Sequence, residues 1–105
     1  MKLEYYPLEK LKKEILEIIG KYLDINSYKV FFFGSRVSNK DDERSDIDIG
    51  IEGPNQVSLE VMAQIKDEIS TLPTLYHIDI VDFAGVDEDF YKVAKQNFEL
   101  LIIAK

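Results

Sequence analysis

The chain has 105 residues, a formal net charge of -7 and no cysteine. That length suits one domain with one core, predicted over residues 1–105, and the lack of thiols excludes disulfides, thiolate nucleophiles and cysteine-based zinc sites. An acidic surface repels a nucleic-acid backbone, and no run of about 18 apolar residues could span a membrane; with no secretory signal either, a cytoplasmic protein is expected.

Pro7 suits the start of a helix, and Leu8, Leu11, Ile15, Ile18, Ile19 and Tyr22 follow at helical spacing. Lys10, Lys12, Lys13, Glu14, Glu17 and Lys21 fill the other face, so this is a surface helix with one buried stripe. Tyr28 to Phe33 is rich in β-formers and stops at Gly34, which predicts a buried strand. A Gly34-Ser35 turn comes next, then one possible helical turn and a polar loop from Asn39 to Arg44. Asp46 to Ile51 alternates Asp and Ile before its Gly, so Ile47, Ile49 and Ile51 face the core while Asp46 and Asp48 face the other way. Gly53-Pro54-Asn55 is a break. Ser58 is a candidate N-cap for a second helix, whose stripe is Leu59, Met62, Ile65, Ile69 and Leu72, ending before Pro73. Tyr76 to Phe83 reads as a third strand. Asp87 can cap a third helix, with Phe90, Val93 and Ala94 turned inward, and Leu100 to Ala104 reads as a last strand. Helices alternating with strands predict a small α/β (α+β) fold layered helix on sheet.

Asp46 and Asp48 project from one face, with Cα atoms roughly 7 Å apart. Carboxylates at that spacing can converge on two divalent cations held about 3.5–4 Å apart. The bland alternative is a half-exposed strand with solvated acids, but aspartate is disfavoured inside strands, and two among isoleucines need a reason. Gly34 and Ser35 offer backbone N–H groups and a hydroxyl where a strand ends, an arrangement suited to phosphate. A third acid on another strand would complete the site. Asp79 and Asp82 lie three positions apart and so face opposite sides. Asp79 is the choice, because Ile78 and Ile80 flank it and repeat the alternation of the first acidic strand. Arg36, beside the turn, is the cation best placed to grip phosphate oxygens, ahead of Lys40 and Arg44. His77 is the single histidine and shares a face with Asp79 at the edge of the site; a lone histidine is by default structural or exposed. No Ser-His-Asp arrangement and no Walker-type sequence is readable. Phosphate cradle and carboxylates together suggest phosphoryl or nucleotidyl transfer.

Gly34-Ser35, Ser45-Asp46-Ile47-Asp48 and Ile78-Asp79-Ile80-Val81-Asp82 resemble the DNA polymerase β-like nucleotidyltransferase superfamily, and more narrowly its minimal nucleotidyltransferase domains. The resemblance covers almost the whole chain, with three separated elements agreeing in order and spacing. It implies a small mixed sheet with helices packed on it. It implies that Gly34 and Ser35 hold the triphosphate of ATP or another NTP, that Asp46 and Asp48 bind two Mg²⁺ ions, and that Asp79 completes the metal and catalytic set. Many relatives carry a second glycine five residues after the first; here that position is Asn39, which tolerates a left-handed backbone. Such stand-alone domains resemble the antitoxin half of toxin–antitoxin modules, whose partner is an all-helical HEPN ribonuclease. The resemblance thus implies transfer of AMP to a tyrosine of a HEPN toxin. A chain this short has little room to build an acceptor pocket, which suits an acceptor supplied by a partner. Two other readings compete: a non-catalytic module that neutralises a partner by occlusion, and a small-molecule nucleotidyltransferase, which would ordinarily need an added acceptor domain.

Overall fold

The structure, a computed structural model, describes residues 3, 6–34 and 46–101. The turn and polar loop expected after Gly34, with Ser35, Arg36, Asn39, Lys40 and Arg44, lie outside the described residues, as do residues 102–104 of the expected last strand.

Helix α1 spans Leu8–Gly20. Pro7 is its N-cap, in extended conformation, and its carbonyl accepts from the Leu11 amide at 3.0 Å. Leu11, Ile15, Leu16, Ile18 and Ile19 are buried along the helix. Strand β1 is Lys29–Phe33 and β2 is Ile47–Glu52. Helix α2 spans Leu59–Ser70, and the Ser58 hydroxyl accepts from the Val61 amide, satisfying one of the amides a helix start leaves unpaired. Strand β3 is Ile78–Asp82, followed by a 3₁₀ turn at Phe83–Gly85. Helix α3 spans Glu88–Lys95, capped by Asp87, and β4 is Phe98–Leu100. The last strand therefore begins two residues earlier than the apolar run suggested.

The strands form a four-stranded sheet in the order β3-β2-β1-β4. β1 is antiparallel to both β2 and β4, whereas β2 and β3 run parallel. Helix α2 is the crossover between the parallel pair, the connection such a pair requires. The sheet is mixed, as the resemblance implied.

Each face of the sheet has its own packing. On one face Val30, Phe32, Ile47, Ile49, Ile51 and Ile80 meet the buried stripes of α1 and α2. Leu11, Ile15, Ile19, Ile47, Ile49, Ile51 and Ile65 are fully buried. Each such side chain adds roughly 1.5–3 kcal/mol relative to exposure. Between the two helices Glu68 accepts from Lys21 at 2.6 Å and from the Tyr22 hydroxyl. On the other face a smaller aromatic cluster of Phe31, Phe33 and Phe83 packs with Ala94 of α3. Phe31 and Phe83 meet edge to face at 4.9 Å, and Phe33 and Phe83 at 5.1 Å. Gly50 makes this possible: a Cβ there would lie 2.4 Å from the Phe31 ring and 2.6 Å from that of Phe83.

Two inward assignments do not hold. Leu59 is 87% exposed; Val61, a turn before Ile65, packs on the core in its place. Val93 is 67% exposed, while Ala94 is buried as expected and Phe90, though partly exposed, meets the rings of Phe33 and Phe83 at 6.1 and 5.8 Å. Tyr91 and Lys95 both bond Glu52 of β2, at 2.5 and 2.9 Å, which turns their side of α3 to the sheet and Val93 away from it. Burial pushes the Glu52 carboxyl up, but donation from Tyr91 and Lys95 outweighs it and holds the pKa below the usual carboxylate range. Among the described residues, no helix is long and apolar enough to cross a membrane.

Candidate active site

The aromatic cluster and α3 cover only part of their face. The rest carries acid. Asp46 immediately precedes β2 and is exposed, and Asp48 lies within it, half-buried. Ile47 and Ile49 point to the opposite, fully buried side, so the alternation that separates acid from core is realised.

Asp79 is the direct register partner of Asp48 across the parallel pair, as Ile78 is of Ile47. Register partners on neighbouring strands share a face at a strand spacing of roughly 4.8 Å. The carboxylates of β2 and β3 therefore stand side by side. Asp82 does something else. One of its oxygens accepts from the Val57 amide at 2.7 Å and the other from the Ala84 amide at 3.0 Å. It closes the 3₁₀ turn and anchors the segment leading to α2.

His77 is drawn further into the cluster than its sequence position indicated. Its Nε2 lies 3.2 Å from Asp79 Oδ1. Asp46, His77 and Asp79 each present a ligand atom, all within 4.8 Å of one another. The signal was available: His77 shares strand parity with Asp79. What the sequence did not contain was the proximity of Asp46, which depends on β2 lying next to β3.

On the other side of β2, Asp48 pairs in register with Phe33, the last residue of β1. Gly34 follows, with φ at 85°. A Cβ on Gly34 would lie 2.6 Å from Asp48 Oδ2. Glycine is thus required twice, for its left-handed backbone and for the approach of the carboxylate. Gly34 just past β1, Asp48 of β2 and Asp79 of β3 lie in sequence across the sheet. Ser35 and Arg36, the other two residues expected to hold nucleotide, fall outside the described residues.

The electrostatics suit a cation. Burial pushes the Asp48 carboxyl above its usual range, the Asp79 and Asp46 carboxylates push it further, and His77 opposes them. Like charges this close disfavour full ionisation, and a bound divalent ion reverses that preference. Carboxylate oxygens with one imidazole nitrogen are a chemically competent donor set for such an ion.

Gly34→Ala is expected to cost about 1 kcal/mol of stability, from the left-handed backbone. The oxygen it would displace belongs to Asp48, so catalysis should suffer more, by about 10²-fold for a shift near 1 Å. Thermal denaturation and a nucleotide-transfer assay separate the two effects. Transfer at the unmodified rate would remove Gly34 from the site.

The family model described as Polymerase beta, Nucleotidyltransferase matches residues 13–104. The chain is 27% identical over 93 residues to the probable protein adenylyltransferase MntA of Haemophilus influenzae, a match spanning 87% of this chain and 82% of that protein. Its fold is similar to that of a toxin–antitoxin crystallised with AMP-PNP, with a TM-score of 0.69 and 16% identity over 90% of this chain and 74% of the other. It is also similar to the complex of a tri-AMPylated Shewanella oneidensis HEPN toxin with MNT antitoxin, with a TM-score of 0.67 and 14% identity over 92% and 74% of the two chains. At such identities the structural likeness concerns the fold. The family match, over nearly the whole length, concerns the sequence as well, and on it the chain belongs to the polymerase β nucleotidyltransferase family.

Proposed function

We propose that this nucleotidyltransferase moves AMP from ATP to a tyrosine hydroxyl of a HEPN-family toxin and so acts as the antitoxin of the pair. The observation that carries the reading is the register of Asp48 against Asp79, with Asp46 presenting a ligand atom within 4.8 Å of one from Asp79 and a left-handed Gly34 against Asp48. The similarity to a probable protein adenylyltransferase supports the choice of AMP and of a protein acceptor.

In this proposal the β and γ phosphates of ATP lie against Gly34 and Ser35, with Arg36 pairing their oxygens. Asp46, Asp48 and Asp79 would hold two Mg²⁺ ions, whose charge would lower the pKa of the acceptor hydroxyl and offset charge on the departing pyrophosphate. The acceptor oxygen attacks the α-phosphorus as the bond to the bridging oxygen of pyrophosphate breaks. The acceptor's proton passes to Asp79, at the exposed outer strand where an incoming protein has access. The products are a phosphodiester and pyrophosphate. Positioning by rigid strands and fixed charge supplies most of the rate.

The test is intact-mass measurement of a HEPN-family toxin co-expressed with this chain, after incubation with the chain, ATP and Mg²⁺. Additions of adenylate on one tyrosine-containing peptide are expected, insensitive to added RNA or DNA. An unchanged mass, with toxicity still suppressed by an Asp46→Ala variant, would replace transfer with occlusion.

A further inference from the structure

Resting on the reading that these carboxylates hold divalent ions, we propose that His77 is itself a metal ligand, forming with Asp46 and Asp79 a mixed imidazole–carboxylate site that selects a first-row transition ion such as Mn²⁺ over Mg²⁺. The residues come from two chain segments 31 positions apart, and their ligand atoms all lie within 4.8 Å of one another. A surface ion pair would require only His77 and Asp79. The third member, Asp46, arrives from beside a different strand. It does so because the backbone of His77 is itself tied to that strand: the Ile47 amide donates to the His77 carbonyl at 2.9 Å. That bond holds the main chain of His77 next to the residue that follows Asp46. The side chains of His77 and Asp79 are 68% and 54% exposed, so core packing does not explain where they sit.

The donor set decides the ion class. Mg²⁺ is a hard cation that prefers oxygen ligands and retains water, whereas an imidazole nitrogen suits the later first-row ions best; Mn²⁺, the first-row ion nearest Mg²⁺ in ligand preference, is the paramagnetic probe of that nitrogen. Asp48 stands outside the trio and faces Gly34. The site would thus have two chemically different sides, one with oxygen donors toward β1 and one with nitrogen toward β3.

His77 is the only histidine in the sequence, which makes a spectroscopic test unambiguous in tag-free, nucleotide-free protein. Electron spin-echo modulation of the Mn²⁺-loaded chain should show coupling to an imidazole nitrogen, and His77→Ala and His77→Gln should both abolish it. The same variants should weaken Mn²⁺ binding by about tenfold or more, since even outer-shell changes cost that much, while Mg²⁺ binding is retained. Circular dichroism checks that the fold persists. Absence of nitrogen coupling in the unmodified protein, or Mn²⁺ affinity unchanged in both variants, overturns the proposal. The measurement requires no transfer activity, so its outcome stands apart from that of the adenylate assay.

Discussion

Asp48→Ala and Asp46→Ala are each expected to reduce adenylate transfer by about 10³-fold or more, the scale on which charge-stabilising groups act in phosphoryl transfer, without loss of the fold. Asp46 is exposed and Asp48 half-buried on the open face of the sheet, so neither fills the core. Asp48→Asn makes a sharper test. Its carboxyl pKa is raised in the folded protein, by burial first and then by Asp79 and Asp46. A group raised on folding binds more protons in the folded state than in the unfolded one. Its contribution therefore favours folding at low pH and turns against it as pH rises through the folded value. At neutral pH, without metal, the ionised carboxylate opposes the fold, and the amide removes that opposition. The asparagine variant should thus melt no lower than the unmodified protein in EDTA while transferring almost nothing. Transfer retained in both alanine variants would end the two-metal assignment. A clear loss of stability in Asp48→Asn would instead show that the carboxylate has a structural partner.

Asp79→Asn and Asp82→Asn should separate cleanly. Asp79 neighbours Asp48 in register and shares its face, so its amide variant should lose transfer by a similar factor and keep its melting temperature. Asp82 accepts from the Val57 and Ala84 amides with different oxygens. An amide side chain offers one oxygen, so one backbone N–H is left unsatisfied, at a cost of about 1–3 kcal/mol. Asp82→Asn should therefore unfold earlier and, below its transition, transfer at close to the ordinary rate. The reverse ranking in the transfer assay would mean that the register of β3 is not Asp48 against Asp79.

The same two residues mark the boundary between what the chain states locally and what assembly decides. Alternation along a strand follows from backbone geometry, so the parity of Asp46, Asp48 and Asp79, and the burial of Ile47, Ile49 and Ile51, were legible in order of residues alone. Local hydrogen bonding likewise made Ser58 and Asp87 readable as caps. Asp82 was separated from Asp79 by the same parity, but its bond to Val57, 25 residues away, was not visible.

Helical periodicity located the three helices, yet the facing of the shortest was decided by Glu52, a residue on a distant strand that holds Tyr91 and Lys95 and leaves Val93 in solvent. Gly50 could be read only as an interruption of the acidic strand until Phe31 and Phe83 were placed against it. The site itself depends most on such non-local choices. Which strands neighbour β2, and in what register, is set by packing of the whole sheet and not by any short segment. By itself the sequence determined the kinds of acid, their faces and the glycine beside them; only the tertiary structure set Asp48 against Asp79 and brought His77 to Asp46, because both require segments roughly thirty residues apart to pair in one sheet.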